Sequence, residues 1–335
     1  MNENNQKFMK SSHFISSIFS KYGLIFALFI LIIFLSITAE NFLTLSNIMN
    51  VLLQASNIGI MAAGLTLVII CAEIDLSVAS IQSMGAVVVA LLLKDYEAPI
   101  FLAVLAALGV GILLGAFSGL FVGLFAIPAF ILTLAMDSLA RGGALILTGE
   151  QSIFGLPEPF SFLGQGYIGP VPVAAIVMGL VFLIAHLILS RTVLGTNIYA
   201  VGGNKEAARV AGINVFAVQL FVLTFSGFCA SLAGTVMASR LMAAQAIMGM
   251  FDLMDVIAAV VIGGTSLLGG EGRIIGTVIG TLIIACIRNG LNLLGIAADW
   301  QLLAVGAIII LAVLFCLLYT SDAADEGLGV DLGGR

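Results

Sequence analysis

The chain contains 335 residues, of which 61% are hydrophobic and only 9% are charged. Soluble domains carry a charge on roughly a quarter of their residues, so this composition excludes a soluble globular protein and predicts a membrane protein. The formal net charge of −6 is opposite in sign to the basic surfaces that bind nucleic acid, and we expect no nucleic-acid partner.

The first 20 residues are polar and precede the first apolar stretch. They contain no short apolar core followed by a small-residue cleavage site, so we interpret residues 1–20 as a retained cytoplasmic tail rather than a signal peptide. Residues 21–315 follow as one membrane domain, because no segment between its apolar stretches is long enough to bury a soluble core.

Apolar stretches recur throughout this domain, and about 20 such residues cross a bilayer as a helix. The predicted spans are residues 22–39, 52–71, 76–93, 99–125, 128–147, 171–189, 216–237, 254–270, 273–288 and 299–315. The sequence therefore predicts an all-α polytopic membrane protein with about ten transmembrane helices in two five-helix halves.

Basic residues in short loops predict the orientation, because they concentrate on the cytoplasmic side of a membrane. Three lysines lie in or beside the N-terminal tail, and three basic residues lie in the loop 190–215. The loop 148–170 contains two glutamates and no basic residue. We therefore expect a cytoplasmic N-terminus, a cytoplasmic loop 190–215 and an outer loop 148–170.

Two polar or glycine-rich breaks interrupt the predicted spans. The first, "CAEIDLSVAS", carries Glu73, Asp75, Ser77 and Ser80, and the second covers residues 263–272 with Gly263, Gly264 and Thr265 at its start. Interrupted helices in both halves of a membrane protein are typical of a transport pathway, although these two are offset by one span. We predict that these seven residues form the hinge or the lining of a translocation path.

A carboxylate that faces lipid costs about 2.5–3.5 kcal/mol, so Glu73 and Asp75 must face protein or water. Three roles remain open for this pair: structure of the break, contact with a transported solute, or proton relay. In the structural role, Asp75 or Ser77 caps a helix that begins at Leu76.

Glycines at a spacing of four residues form two ridges, one at Gly111, Gly115, Gly119 and Gly123 and one at Gly272, Gly276 and Gly280. Such ridges let helix backbones approach closely in a bilayer, where the hydrophobic effect does not hold helices together. We interpret both ridges as helix-packing surfaces.

The cytoplasmic loop 190–215 contains a predicted short helix in "GGNKEAARVAGINV". Asn204 is a typical N-cap and Gly212 a typical stop. The residues Ala207, Ala208 and Ala211 form a small apolar side that suits docking into a groove on a partner, and the alternative is a solvated connector.

The last 20 residues differ abruptly from the helix that precedes them. "CLLYTSDAADE" and "GVDLGGR" resemble translated sequencing adapter, so we interpret residues 316–335 as a non-native tail and exclude them from functional reasoning. Without their one arginine and four acidic residues, the totals of 12 basic and 18 acidic residues become 11 and 14.

The sequence lacks the motifs of an enzyme. It contains no G-x-x-x-x-G-K-[ST] phosphate loop, no H-E-x-x-H, no G-x-S-x-G and only two histidines. We expect no catalytic residue, no metal site and no cofactor bound by this chain.

Several of these segments resemble the permease subunits of bacterial ABC importers for ribose and other monosaccharides. "GLTLVIICAEIDLSVAS" is similar to the family signature, and "VIGGTSLLGGEGRIIGTVIGTLII" and "NGLNLLGIAADWQ" are similar to two further blocks. The loop segment resembles the family's ATPase-coupling segment, which implies coupling roles for Asn204, Lys205, Glu206, Ala207, Ala208, Arg209 and Gly212. Glu73 stands where many members have glycine.

The resemblance implies an importer built from several proteins. Its expected partners are an ABC ATPase that binds ATP and Mg, an extracytoplasmic solute-binding protein, a like or unlike second permease subunit, and the lipid of the bacterial inner membrane. We therefore predict an ATP-driven permease for a monosaccharide such as ribose. The alternatives are another solute (a nucleoside, a furanose signal or a branched-chain amino acid), an ion-coupled secondary transporter, and, least favoured, a membrane enzyme.

Overall fold

A computed structural model describes residues 23–297, 299–304, 306–307 and 310 of the chain. The tails predicted at 1–20 and 316–335 lie outside these residues. The helices are α1 (Gly23–Thr38), α2 (Leu45–Ile70), α3 (Val78–Lys94), α4 (Ile100–Phe125), α5 (Ala129–Thr148), α6 (Phe162–Gln165), α7 (Val173–Arg191), α8 (Val193–Gly203), α9 (Lys205–Val210), α10 (Val215–Leu241), α11 (Asp252–Ile262) and α12 (Ile274–Leu293). Residues 299–304, 306–307 and 310 are also helical.

The predicted all-α class is confirmed. Within the described part of the chain, six helices (α2, α4, α5, α7, α10 and α12) are long and apolar enough to span a membrane, and α1 and α3 are shorter apolar helices. Every predicted span overlaps a helix. The span predicted at 254–270 is wrong in extent, because α11 ends at Ile262 and an irregular segment follows.

Two helices, α2 and α10, form the centre of the molecule. Nearly nine-tenths of the most apolar part of α2 is buried, whereas only 22% of the corresponding part of α4 is buried. A helix that is apolar on all sides and buried on all sides belongs in the core of a bundle. The central helix α2 packs against α7, α10 and α12, and α10 in turn packs against α3 and α4.

The first glycine ridge packs α4 against α10. At Gly111, Gly115 and Gly119, the space that a Cβ would need is occupied by backbone atoms of α10, and at Gly123 it is occupied by the Phe216 ring. The ridge therefore brings the two backbones into direct contact, and its predicted packing role is confirmed.

The second ridge packs α12 against α11. Gly276 and Gly280 lie against backbone atoms of Gly263 and Ala259. Gly272 precedes α12 and belongs to the irregular segment instead. Side-chain hydrogen bonds also hold α12 to α2, through a reciprocal pair between Asn47 and Asn289 (2.8 and 2.9 Å) and a hydroxyl pair between Thr66 and Thr277 (2.8 Å).

The predicted outer loop carries small elements that cover one end of the bundle. These are β1 (Ile153–Phe154), a 3₁₀ helix (Glu158–Ser161), α6, β2 (Tyr167–Ile168) and β3 (Val171–Pro172). Strand β1 pairs antiparallel with β4 (Ala243–Ala244), and β2 pairs antiparallel with β3. The Gly164 N–H donates to Ser239 Oγ at 2.8 Å, so this cover is tied to the end of α10.

Candidate functional site

The first break separates α2 from α3 and is organised around Asp75, which is 2% exposed. Its Oδ1 accepts hydrogen bonds from the N–H (2.9 Å) and the hydroxyl (2.6 Å) of Ser77. Its Oδ2 accepts from the hydroxyl of Ser226 on α10 at 2.7 Å. Asp75 therefore fixes the break to the central helix α10.

The start of α3 differs from the prediction. The helix begins at Val78 rather than Leu76, and the Ser77 side chain makes no cap hydrogen bond although Ser77 occupies the N-cap position. The Leu76 N–H donates instead to Thr133 Oγ1 on α5 at 3.1 Å. Ser80 is buried and its hydroxyl donates to the Ser77 carbonyl at 2.9 Å. The polar groups of the break thus form hydrogen bonds with four hydroxyl side chains, those of Ser77, Ser80, Thr133 and Ser226.

Glu73 has different partners from Asp75. Its Oε1 accepts from Gln219 Nε2 on α10 and lies 3.4 Å from Lys205 Nζ on α9. The Glu73 side chain is 11% exposed and the Lys205 side chain 41% exposed. Glu73 therefore joins the first break both to α10 in the core and to the short helix α9.

The second break, residues 263–273, contacts the first one directly. It turns through glycines with left-handed backbone angles, including Gly264 (φ +81°) and Gly270 (φ +74°). The Gly270 N–H donates to the Ile70 carbonyl at the end of α2, at 2.9 Å. Thr265 is buried, and Gly263 packs on the backbone of Gly276. The breaks predicted in separate halves thus meet at one place.

The end of α8 completes this contact. Gly202 leaves no room for a Cβ because the Ile70 carbonyl and the Gly270 backbone lie against it, and Gly269 lies against Ala72. We call the three segments Ile70–Glu73, Gly202–Lys205 and Gly269–Gly272 the cytoplasmic junction, after the side of the membrane that the basic residues of the loop 190–215 predict for it.

A tyrosine also fastens α8 to the second break. The Tyr199 hydroxyl donates to the Gly272 carbonyl at 2.8 Å. Burial raises the pKa of the Tyr199 phenol, against the opposing effect of Arg273. The phenol therefore keeps its proton near neutral pH and remains a hydrogen-bond donor.

The predicted helix in the cytoplasmic loop is confirmed as α9. Asn204 Oδ1 accepts from the Ala207 N–H at 2.9 Å, as an N-cap does. At the other end Gly212 has φ +85°, and the Ile213 N–H donates to the Ala208 carbonyl at 3.0 Å. This left-handed glycine ends the helix, as its position in the sequence predicts.

The residues predicted to couple the protein to an ATPase divide between two faces of α9. The predicted docking side of Ala207, Ala208 and Ala211 is therefore wrong as one surface, because Ala208 faces inward while the other two alanines are exposed. Ala208 is buried against the body of the protein, and Lys205 turns towards Glu73. Glu206, Ala207 and Arg209 are exposed, and Glu206 and Arg209 form an ion pair at 3.0 Å. Val210, which the sequence reasoning did not select, is 89% exposed. The surface available to a partner is therefore Glu206, Ala207, Arg209 and Val210.

A second polar cluster lies at the start of α11, beside the middle of α2, the first turns of α3 and the last turns of α12. Asp252 Oδ2, at the start of α11, accepts from Asn57 Nδ2 (2.7 Å) and Gln82 Nε2 (3.1 Å). One turn further on, Asp255 Oδ2 lies 2.5 Å from Arg288 Nε, in ion-pair contact. A cavity of about 270 Å³ adjoins these groups and is lined by Gln54, Asn57, Ile58, Met237, Arg240, Asp252, Asp255, Ala285, Arg288, Asn292 and Gln301.

The sequence reasoning missed this cluster and the α10 partners of the first break. Asp255 and Arg288 were counted inside apolar spans, yet a charge within a span is itself a signal of function. Gln219 and Ser226 are seven residues apart, which places them on one face of a helix. That spacing was the available signal for the partners of Glu73 and Asp75.

Among the residues that the structure describes, histidine, cysteine, aspartate and glutamate side chains form no group of three that could hold a metal ion. The arrangement instead offers two polar regions within a helical bundle. One joins the partly exposed helix α9 to two backbone breaks, and the other adjoins a small cavity.

Comparison with known proteins matches nearly the whole chain. A family model described as branched-chain amino acid transport system / permease component matches residues 47–313. The ribose import permease protein RbsC of Haemophilus influenzae is 42% identical over 86% of this chain and 90% of its own length. The Bacillus subtilis RbsC is 40% identical, over 91% and 95%. The D-allose transport system permease protein AlsC of Escherichia coli is 40% identical, over 88% and 90%. No solved structure matches the chain.

Proposed function

This chain belongs to the family of branched-chain amino acid transport system permease components, and from that premise we propose that it is the permease subunit of an ATP-driven importer for a monosaccharide such as ribose. It is a multi-pass protein of the bacterial inner membrane. The relatives that carry the word ribose in their names are 40–43% identical to it, which supports ribose over an amino acid, a nucleoside or a furanose signal.

The observation that carries the transport role is the cytoplasmic junction. The exposed face of α9 is placed for a partner protein, while the same helix is joined through Lys205 to Glu73 and through Gly202 to both breaks. A displacement of α9 therefore changes the position of both breaks together. This arrangement suits a protein that receives mechanical work at α9 and uses it to open and close a path.

In this proposal, a partner protein supplies the free energy for transport. An ABC ATPase binds ATP and Mg, and its closure moves α9, because ATP binds the closed form of the ATPase more tightly than the open form. An extracytoplasmic solute-binding protein delivers the sugar at the other face. A second permease subunit, like or unlike this one, completes the path.

Glu73 and Asp75 have structural roles in this mechanism. Both oxygens of Asp75 receive hydrogen bonds from serines, and Glu73 is shared between Lys205 and Gln219. A secondary transporter would need one of them to exchange a proton or hold an ion, so this alternative is the direct rival for the same residues.

The test is uptake in proteoliposomes that contain the permease, its ATPase and its binding protein. We expect uptake of labelled ribose that requires ATP inside the vesicle and persists when an ionophore collapses the proton and sodium gradients. Uptake that continues without ATP and stops with the ionophore would identify an ion-coupled transporter instead. Uptake of leucine or adenosine in place of ribose would reassign the solute.

A further inference from the structure

We propose that the ATPase partner contacts this chain at a second point besides α9, namely at residues 266–269 of the second break. We call this segment the leucine turn, because it carries Leu267 and Leu268. The inference rests on the proposed function, since it gives the same partner a further contact surface. No motif of the sequence and no polar cluster of the structure includes this surface.

The leucine turn exposes two adjacent apolar side chains. Leu268 is 85% exposed and Leu267 is 43% exposed, although the segment between Gly263 and Gly272 is otherwise mostly small or polar. Burial of an exposed leucine against a partner is favourable because it removes apolar surface from water. The two leucines therefore supply the apolar centre that a protein interface requires.

Hydrogen bonds fix the shape of the leucine turn. The Ser266 N–H donates to the Glu271 carbonyl at 3.1 Å, and the Gly269 N–H donates to the Ser266 carbonyl at 3.1 Å. The Leu268 N–H donates to Ser266 Oγ at 3.2 Å. A segment that is ordered before it binds loses little conformational entropy on binding. The turn thus presents Leu268 in a defined position.

The leucine turn adjoins α9. The backbones of Gly270 and Gly203 are in contact, and α9 begins at Lys205, two residues after Gly203. Leu268 precedes Gly270 by two residues, so their Cα atoms are at most about 8 Å apart. Basic residues place α9 on the cytoplasmic side, where the ATPase is expected. One partner that covers the exposed side of α9 therefore reaches the leucine turn as well.

The surroundings of Leu268 favour a protein over lipid as its contact. Glu271 and Arg273 are exposed and follow it by three and five residues. Neither of them forms an ion pair within the part of the chain that the structure describes. Charged side chains and non-helical backbone are both costly in lipid hydrocarbon. Next to the two leucines, one acid and one base instead provide the polar rim of an interface.

This second contact gives the ATPase direct access to both breaks. Its contact with α9 acts on the first break through the ion pair of Lys205 with Glu73, at 3.4 Å. The leucine turn is itself part of the second break. Closure of the ATPase therefore displaces the second break directly, in addition to the movement that α9 transmits.

The first experiment is photocrosslinking in the complete transporter. Benzoylphenylalanine replaces Leu268 in one sample, Val210 in a second and Leu43 in a third. Leu43 is the matched control, because it is also an exposed leucine in a turn (61%) but lies at the other end of α2 from the first break. We expect covalent attachment of the ATPase from positions 268 and 210 and none from position 43.

The second experiment measures the affinity of the ATPase for the permease in nanodiscs. Leu268→Ser should raise the Kd about tenfold, because the interface loses one apolar side chain, and Leu43→Ser should leave the Kd unchanged. Because Leu268 is so exposed in the single chain, the midpoint of SDS denaturation should be the same for Leu268→Ser and wild type. Equal midpoints separate a lost contact from a lost fold.

The outcomes separate this inference from the proposed function. Failure of the wild-type permease to bind its ATPase overturns the function itself. Attachment of the ATPase from position 210 but not from position 268, with an unchanged Kd for Leu268→Ser, overturns only the contact at the leucine turn. Attachment from position 268 to a second permease subunit or to lipid, instead of the ATPase, also overturns that contact.

Discussion

Two carboxylates that are two residues apart in the sequence have different surroundings in the first break. Asp75 is enclosed and bonded to hydroxyls of the same break and of α10, so it stabilises a fixed backbone shape. Glu73 is bonded across a boundary between segments, to a cytoplasmic lysine and a core glutamine. Replacing Asp75 should affect mainly folding. Replacing Glu73 should affect mainly the coupling between α9 and the first break.

Asp75→Asn should lower the stability of the protein. The asparagine Oδ1 still accepts from the Ser77 N–H, but its amide cannot accept from Ser226, so one buried hydroxyl loses its partner at a cost of about 1–3 kcal/mol. Denaturation in SDS measures the loss. Adding Ser226→Ala to Asp75→Asn should cost little more, and an additive loss in this double variant would contradict the proposed contact.

Glu73→Gln should uncouple transport from ATP hydrolysis with little loss of stability. A half-exposed ion pair contributes about 0–1 kcal/mol, so folding survives, but the charge attraction between the first break and α9 disappears. We expect several-fold slower ribose uptake at an unchanged ATPase rate, partly restored by combining Glu73→Lys with Lys205→Glu. Equal uptake by Glu73→Gln and wild type would refute the role of this pair.

At the scale of a helix, α9 shows how local signals determine an element. The asparagine cap and the glycine stop are both visible in the sequence, and both operate as predicted. The side of the helix that faces inward was not predictable, because it depends on the position of Glu73 on another element. Tertiary contact, rather than helix periodicity, turns Lys205 and Ala208 towards the protein.

Val210→Glu should weaken binding of the ATPase. Burial of a valine in an interface contributes about 1.5 kcal/mol, so placing a charge there should reduce affinity by about tenfold or more. Titration of the ATPase onto the permease in nanodiscs measures the Kd. Val193→Glu, at another highly exposed valine at the start of α8, is the control and should bind normally. Equal Kd values for the two variants would exclude Val210 from the interface.

Gly115→Ala and Gly109→Ala test the packing of α4 from two sides of the same helix. At Gly115 the added methyl meets the Leu223 carbonyl of α10, whereas at Gly109 no described atom lies within 4 Å. We expect Gly115→Ala to destabilise the protein by about 1–3 kcal/mol. Gly109→Ala should be neutral or slightly stabilising, because alanine is the better helix former. SDS denaturation distinguishes them, and similar midpoints would contradict the packing.

The second break shows where prediction from hydropathy stops. The sequence analysis predicts one span over 254–270 and also a glycine-rich break from Gly263, and the structure follows the break because α11 ends at Ile262. The helix ends because glycines there adopt left-handed angles and pack on the backbones of α12 and α2. These contacts are with residues distant in sequence, which a single apolar stretch does not reveal.

For the molecule as a whole, the class and the succession of helices follow from composition and apolar length, because a bilayer requires both. The site residues were predictable only in part. Residues with backbone roles, such as Asp75 and Gly212, were recognisable by type and place. The second polar cluster, around Asp252 and Asp255, was not, because it joins single polar residues from several helices.

The orientation is testable in intact cells. The distribution of basic residues places the loop 148–170 outside and α9 inside. In a cysteine-free background, Gln151→Cys should react with an impermeant maleimide added to whole cells, and Val210→Cys should react only after lysis. Both positions are exposed in the folded protein, so exposure to solvent is matched between them. The reverse pattern would invert the topology.

The glycines of the cytoplasmic junction have a consequence for timing. Gly202, Gly269 and Gly270 bring three main chains into close contact, and the side chain nearest to them, the methyl group of Ala72, has no rotamers that can absorb a small movement. A movement of α9 driven by the ATPase should therefore displace both breaks at the same time and by nearly the same distance. Adding even one methyl group there should separate the main chains. ATP would then be hydrolysed without transport of solute.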